Sequence, residues 1–395
     1  VISENHITHK MNPADDLPAV IVDGSDDSEE LVYSSVAIDQ DNITEVSERL
    51  AQSTPNLNGQ TDYVRVAQLL PGVQSQSDGF GGMNVRGGET GQNLMLMDGS
   101  PVYVPYHLLG LYSTYNPEAV KSVKVVKGNF PARYGGAVSS ILDVRIREGN
   151  MFKWKGTADV NLLNAGALIE GPIKKGKGSV LFAARYSPMA YYFEPTVNRL
   201  YFDSRSDDLS TNFYDFNIKG NYKITQKDRV YLSFFSGKDL VSQSAYTRYD
   251  TYTEEINNFD MEWQNRVGSF RWNHLFSKSL FVNTTLTYSN YGYRFSTQNE
   301  YQYSDPLVYS YQNFAIDNRS DNIDLGIKAD FDYAIASKHK LRFGFHHNYR
   351  KFEPKFYYQE QEIFMADSLV FGENWTNYDT LYESLDLPTY LIHES

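Results

Sequence analysis

The chain has 395 residues, with 36 Lys and Arg against 49 Asp and Glu, and the resulting net charge of −13 repels polyanions and argues against a general nucleic-acid binder. It contains no cysteine, which excludes disulfide scaffolds, thiolate zinc sites and cysteine nucleophiles. No stretch approaches the ~20 uncharged apolar residues of a membrane helix, and Val1 to Asn12 lack the charged and apolar regions of a signal peptide, so any membrane passage must use strands.

Residues 1–48 hold twelve acidic side chains and one lysine, most of the net charge of the whole chain, and read as an acidic flexible arm. Its one β-branched run is Leu17-Pro18-Ala19-Val20-Ile21-Val22. Asp26, Asp27, Glu29 and Glu30 lack the spacing and closing Glu of a calcium loop and read as solvated linker. Residues 49–150 mix helix and strand signals. Thr61 or Asp62 caps a helix with the face Tyr63, Val66, Ala67, Leu70, which Pro71-Gly72 ends. Leu94 to Met97 and Pro101 to Val104 flank a tight turn at Asp98-Gly99-Ser100. Asn116-Pro117-Glu118 predicts a helix start before the strand Val123 to Lys127, and a last strand alternates from Ile141 to Ile146. This is a small α/β domain.

From residue 151 to 395 the composition changes: only nine aromatic residues precede Met151, and the remainder of the 31 Tyr, 23 Phe and 4 Trp follow it. Alternation of period two runs through segment after segment. Tyr214, Phe216, Ile218, Gly220, Tyr222 and Ile224 alternate with Asp215, Asn217, Lys219, Asn221 and Lys223. Ile323 to Ile335 repeats the pattern, and further strands are expected at 153–162, 165–171, 179–186, 230–237, 266–276, 280–295 and 341–349, about nine in all. Short turns such as Thr225-Gln226-Lys227-Asp228 alternate with long polar Tyr-rich segments, read as loops of about twenty or more residues. Strands apolar on one face and polar on the other, with aromatic girdles, predict an outer-membrane β-barrel with a polar lumen; a soluble sandwich or propeller would bury the apolar face and use more Val and Leu. A barrel of eight to ten strands fills its interior with side chains, so the α/β domain either lies outside or the barrel in this chain is incomplete.

Four runs carry a family resemblance: Gln68-Leu69-Leu70-Pro71-Gly72-Val73; Asn84-Val85-Arg86-Gly87-Gly88; Gln92 through Asp98-Gly99-Ser100-Pro101-Val102-Tyr103; and Lys127-Gly128-Asn129-Phe130-Pro131-Ala132-Arg133-Tyr134-Gly135-Gly136. In this order they resemble the plug domain of TonB-dependent outer-membrane receptors of the Bacteroidota type, and Glu170-Gly171-Pro172-Ile173 with Ala184-Arg185-Tyr186 resembles the first barrel hairpin of that group. The resemblance implies a large barrel, 22-stranded when complete, closed by an internal α/β plug, of which this chain would hold the plug and the first nine strands. It also implies active uptake of a scarce nutrient across the cell outer membrane, energised by the periplasmic C-terminal domain of TonB. Leu17 to Val22 would then be the TonB box, which adds a strand to the TonB sheet; a plain linking strand is the alternative. Val1 to Asn12 would be the tail of a carboxypeptidase-regulatory-like domain.

The glycine pairs Gly87-Gly88 and Gly135-Gly136 permit positive φ and close approach to a surrounding wall, and Arg86 and Arg133 beside them are suited to carboxylates on that wall. Tyr103, Tyr106 and His107 are the ligand-facing candidates, although a structural histidine is the favoured reading of His107. The expected ligand is a small molecule, peptide or glycan, with a surface lipoprotein as a further partner and the lipid bilayer as surroundings. The sequence has no Gly-x-Ser-x-Gly elbow, no His-Glu-x-x-His and no P-loop, and His346-His347 sit on opposite faces of a strand, so no enzyme activity, catalytic residue, metal or cofactor is expected. The competing reading is a structural or accessory subunit of a larger outer-membrane complex that retains the receptor fold.

Overall fold

The computed structural model describes residues 43–46, 51, 61–75, 82–161, 164–187, 189, 191, 195–196, 199, 208–336, 339–366, 375–386 and 390–394. The chain divides into two units, Val1–Gln40 and Asp41–Ser395. The box candidate, Leu17 to Val22, lies outside the described residues.

The α/β part of the second unit begins with strand β1 (Ile43–Val46) and helix α1 (Tyr63–Gln68). Asp62 caps α1: one carboxylate oxygen accepts from the Val64 and Arg65 amides at 2.9 and 3.2 Å, and the other accepts from the Ser113 amide at 2.9 Å. The helix buries Tyr63, Val64, Val66 and Ala67 and ends before Gly72, whose φ of +79° only glycine adopts without strain. Strands β2 (Val73–Ser75) and β3 (Met83–Val85) form a small antiparallel pair. The central sheet adds β4 (Asn93–Met97) and β5 (Ser100–Pro101); β6 (Tyr106–His107) and β7 (Tyr112–Ser113) form a separate ladder; β8 (Val120–Val126) and β9 (Ser140–Ile146) complete the sheet in the order β1-β8-β9-β4-β5. Asp98 and Gly99, at φ +50° and +89°, form the two-residue turn joining β4 to β5. The helix expected at Asn116 is a single turn: the Asn116 carbonyl accepts from Ala119 and Val120, and the β-branched run that follows enters β8 at once.

The larger part is one antiparallel sheet whose strands pair in chain order: β10 (Lys155–Val160), β11 (Ala165–Lys174), β12 (Gly178–Tyr186), β13 (Asp208–Lys223), β14 (Asp228–Arg248), β15 (Thr253–Ser277), β16 (Leu280–Ser304), β17 (Val308–Ala336) and β18 (His339–Ala366). These nine coincide one for one with the nine strands read from alternation. Beyond them β19 (Trp375–Asp386) and β20 (Tyr390–Glu394) pair with two successive stretches of the same edge of β18 and share one strand position.

Strand length departs from the sequence reading. β15 and β16 have 25 residues each, β17 has 29 and β18 has 28, so the Tyr-rich segments expected to be long loops are continuations of the strands. They close in tight turns where Asp250 accepts from the amides of Tyr252 and Thr253, and Asp305 from those of Leu307 and Val308. At ~3.3 Å per residue such strands reach far past the ~9–11 residues that cross a bilayer.

The alternation itself is inverted relative to a soluble sheet. On β13, Asp215, Asn217, Lys219 and Asn221 are all buried, while Tyr214 and Ile218 are 40 % exposed. Across the neighbouring strands Phe182, Leu232, Phe270, Leu286, Leu325 and Phe345 line the same outer face. The outer face meets lipid and the inner face meets the plug. Ile218, paired with Phe182 and Phe234, lies in the middle of this outer band. Ile218→Arg is therefore expected to destabilise the folded barrel by about 2 to 4 kcal/mol, and Ser242→Arg, on the same face past the apolar band, by less than about 0.5 kcal/mol. Guanidinium titration of both variants in lipid vesicles measures the difference.

Candidate functional site: the plug and barrel interface

The plug is held by polar side chains on the inner face of the sheet. At its centre His107, at the end of β6, is 1 % exposed and lies between two aspartates: Nδ1 is 2.6 Å from Asp239 of β14 and Nε2 is 3.0 Å from Asp215 of β13. Two carboxylates facing the two ring nitrogens need a donor from each, which only the imidazolium provides. Burial opposes that charge, but Asp239 and Asp215 more than offset it and raise the His107 pKa to about 8. Arg185 of β12 balances the second carboxylate: its Nη2 lies 2.6 Å from Asp215 and also donates to the Ser113 carbonyl of the plug at 3.0 Å. Two cations and two anions thus form a neutral buried network. Phe213 stacks on the imidazole at 4.4 Å, and the Leu108 amide donates to Asp239 at 2.8 Å, holding Leu108 at φ +50°, a conformation rare for a residue with a Cβ.

A second contact is made by the turn between β4 and β5. Lys219 of β13, buried, reaches Asp98 at 3.2 Å and Glu148 at 3.3 Å and donates to the Ile146 carbonyl. Beside it Ser100 donates to the Gly268 carbonyl at 2.7 Å, Asn265 to the Val104 carbonyl at 2.8 Å, and the Trp263 indole to the Tyr106 carbonyl at 3.1 Å. The third contact is the Arg133-Tyr134-Gly135-Gly136 segment: Lys328 of β17 donates to the Arg133 carbonyl at 2.7 Å, and the Arg133 guanidinium lies 3.6 Å from Asp330. Tyr134 donates to Asp143 at 2.9 Å inside the plug; burial, then Asp143, pushes its hydroxyl pKa upward.

Arg133 meets a barrel carboxylate, whereas Arg86, at φ +49°, lies over Gly72 and Gly128 within the plug. Gly87 adopts φ +82° and Gly136 +74°, while Gly88 is required for space: a Cβ there would stand 2.1 Å from the Ser139 hydroxyl oxygen. The structure places all three ligand-facing candidates in the interface. His107 is enclosed by aspartates, and Tyr106 is buried, its hydroxyl pKa raised by burial and by Asp62. Tyr103 is half-buried between the rings of Tyr291 and Phe352, at 5.9 and 6.4 Å. Asp239 and Phe213 escaped the sequence reading because the expected strands stopped at Gly237 and began at Tyr214; continuing the alternation outward brings both onto the inner face. Among the described residues no group of three or more His, Cys, Asp or Glu side chains could hold a metal.

Residues 30–140 match the family profile described as TonB-dependent Receptor Plug Domain. This region is similar to the plug domain of TonB-dependent receptors. The antiparallel sheet holds this domain on its polar face. No curated protein matches the sequence. Among solved structures, the siderophore receptor PirA from Acinetobacter baumannii is similar at 12 % identity and a TM-score of 0.39, covering 89 % of this chain and 77 % of that one. A mutant of the ferric enterobactin receptor PfeA from Pseudomonas aeruginosa has 11 % identity and a TM-score of 0.36, over 82 % and 62 %. The unliganded ferric citrate transporter FecA has 11 % identity and a TM-score of 0.38, over 87 % and 66 %.

The His107 network makes the seat of this plug pH-dependent. The pKa of about 8 lies above the ordinary histidine value of about 6.5, so its stabilisation is complete below pH ~6.5 and is lost as pH rises through about 8, an effect on the order of 2 kcal/mol. Exchange of the Leu108 amide is expected to accelerate between pH 6.5 and 8.5 beyond the intrinsic rate, as read by hydrogen–deuterium exchange. His107→Asn should remove the pH dependence and lower protection throughout.

Proposed function

We propose that the protein is an outer-membrane receptor that binds a scarce ligand on the far side of the plug and takes it up when TonB, in the periplasm, pulls on the chain. The observation that carries this reading is the plug seated by buried ion pairs against the polar face of a barrel sheet whose opposite face is apolar. Such a seat closes the lumen at rest, and because His107, Lys219 and Arg133 hold it through hydrogen bonds and charges, water entering the interface can replace each contact as the plug shifts. The ligand is a small molecule, peptide or glycan, and a surface lipoprotein is a fitting partner for a large one. The run of motifs from Gln68 to Gly136 favours the Bacteroidota form of the family. In this reading residues 1–48 are the coupling arm, 49–150 the plug and 151–395 the amino-terminal part of the barrel.

Coupling is assigned to Leu17 to Val22. An extended segment joins a sheet edge mainly through main-chain hydrogen bonds, so side-chain truncation has little effect while loss of donors is severe. Ile21→Ala is expected to weaken capture by the periplasmic C-terminal domain of TonB only about two- to threefold, and Val20→Pro with Val22→Pro to abolish it. Pull-down with purified TonB domain, alongside uptake in cells with equal surface expression, tests this. Wild-type capture and uptake by the double proline variant would exclude the segment as the coupling site.

A further inference from the structure

Past the last plug contacts the sheet continues toward the Asp250 and Asp305 turns, and its two faces differ in chemistry. Parity is fixed by the plug itself: Trp263, Tyr291 and Phe352 all touch it, so odd positions of β15 and β16 and even positions of β17 and β18 share its face. Beyond these residues that face carries Phe259, Tyr293, Phe295, Phe314, Phe356 and Tyr358. Phe259 and Phe295 meet edge to face at 5.4 Å, as do Phe314 and Tyr358. An aromatic wall on strands that have left the apolar band is not explained by lipid contact, because it points the other way.

Charge is sorted between the same two faces. From Leu240 of β14, to Glu262 of β15, from Tyr293 of β16, to Ser320 of β17 and from Phe352 of β18, the described strand residues include four cations, Arg248, Arg294, Arg319 and Lys355. All four lie on the outer face, where Arg248 pairs with Glu254, and Arg294 and Arg319 both reach Asp317, at 2.9 and 2.6 Å. The plug face carries none of them. Its carboxylates take hydrogen bonds from neutral donors: Glu255 from Tyr249 and Asn299 at 2.5 and 2.7 Å, Glu360 from Tyr358 at 2.5 Å, and Glu362 from Gln312 at 3.0 Å. At the near end of this stretch Phe352 meets Tyr103 of the plug and Val241 is buried; farther along, Glu255 is half-buried and Glu360 and Glu362 are exposed.

Aromatic faces present negative charge density, and carboxylates balanced only by neutral donors add to it, giving a wall that attracts organic cations and repels anions. We infer that the aromatic wall beyond the plug, Phe259 to Tyr358, is a ligand-receiving surface selective for a positively charged organic ligand, with ring contact supplied by the aromatics and charge recognition by Glu255, Glu360 and Glu362. The inference rests on the proposed uptake reading for its biological role, while the recognition itself needs no TonB.

Three probes of matched size separate the possibilities: benzyltrimethylammonium, benzyl alcohol and benzoate, titrated calorimetrically into the full-length protein in detergent micelles. The ammonium is expected to bind about tenfold more tightly than the alcohol, with benzoate weakest. Raising salt from ~50 to ~500 mM should shrink the advantage of the cation. The solvent-accessible triple variant Glu255→Gln, Glu360→Gln, Glu362→Gln should bring the ammonium and the alcohol within about twofold, and Phe295→Ala with Tyr358→Ala should weaken both. Benzoate binding as tightly as the ammonium, a cation preference untouched by the triple variant, or no binding of any probe would overturn the assignment. Because capture by TonB is read separately, loss of cation selectivity with box-dependent capture intact would remove only the ligand class. Retained selectivity with box-independent capture would remove only the uptake reading.

Discussion

A strand with lipid on one side and protein on the other must turn its polar side chains inward, and in this chain that constraint reaches ionised groups. Asp215, Lys219, Arg185 and Asp239 are each 3 % exposed or less, in a sheet whose Leu232 is 63 % exposed. Leaving any of them without a partner would cost several kcal/mol, since a buried charge keeps its desolvation penalty when its counter-charge is removed. The plug exists in the position it does because it supplies those partners: His107 for two aspartates, Asp98 and the Ile146 carbonyl for Lys219, and the Ser113 carbonyl for Arg185.

The backbone of the plug is shaped to deliver these groups. Asp98 occupies a left-handed position in a two-residue turn, which projects its carboxylate from the tip of the hairpin toward Lys219. Leu108 accepts an unfavourable φ next to His107 because Asp239 binds its amide and the imidazole together. Apolar packing joins the polar network: the core formed by Val64, Val66, Val123 and Val144 continues into Leu168, Leu181, Phe235 and Val267 of the sheet. The plug therefore sits on a mixed surface in which burial supplies adhesion and the ion pairs set the register.

The same sheet performs a different task farther along. Where the outer apolar band stops, the outer face carries charged and polar residues with Tyr246, Tyr309, Tyr311 and Tyr357 among them, while Phe259, Phe295, Phe314 and Phe356 line the inner side of the same strand ladder. Long strands closed by Asp-centred turns make this a stiff wall instead of a set of loops, so a surface displayed there keeps its geometry. A positioned wall presents rings and carboxylates with little ordering cost on binding.

Much of this architecture was legible in the residues. Period-two alternation located all nine strands from β10 to β18, because the two solvents of a membrane strand impose opposite polarity on adjacent positions, and the motif from Arg86 to Gly136 identified the plug through glycines that close approach and positive φ require. The capping Asp62 and the Asp98-Gly99 turn were equally visible, since their conformations are decided within four residues. What the residues alone did not disclose depends on neighbours distant in the chain. Strand ends were missed because pairing continues wherever the adjacent strand continues, whatever the local composition, and the single turn at Asn116 gave way to β8 because sheet pairing outweighs a short helix signal. The sequence offers a structural role or a ligand contact for His107, but not its partners: Asp215 and Asp239, which stand against its two nitrogens, lie more than a hundred residues later. Local sequence determines which face of a strand is polar; only the tertiary structure decides which charges on that face meet, because Coulomb and hydrogen-bond energies depend on distances that the folded sheet alone sets.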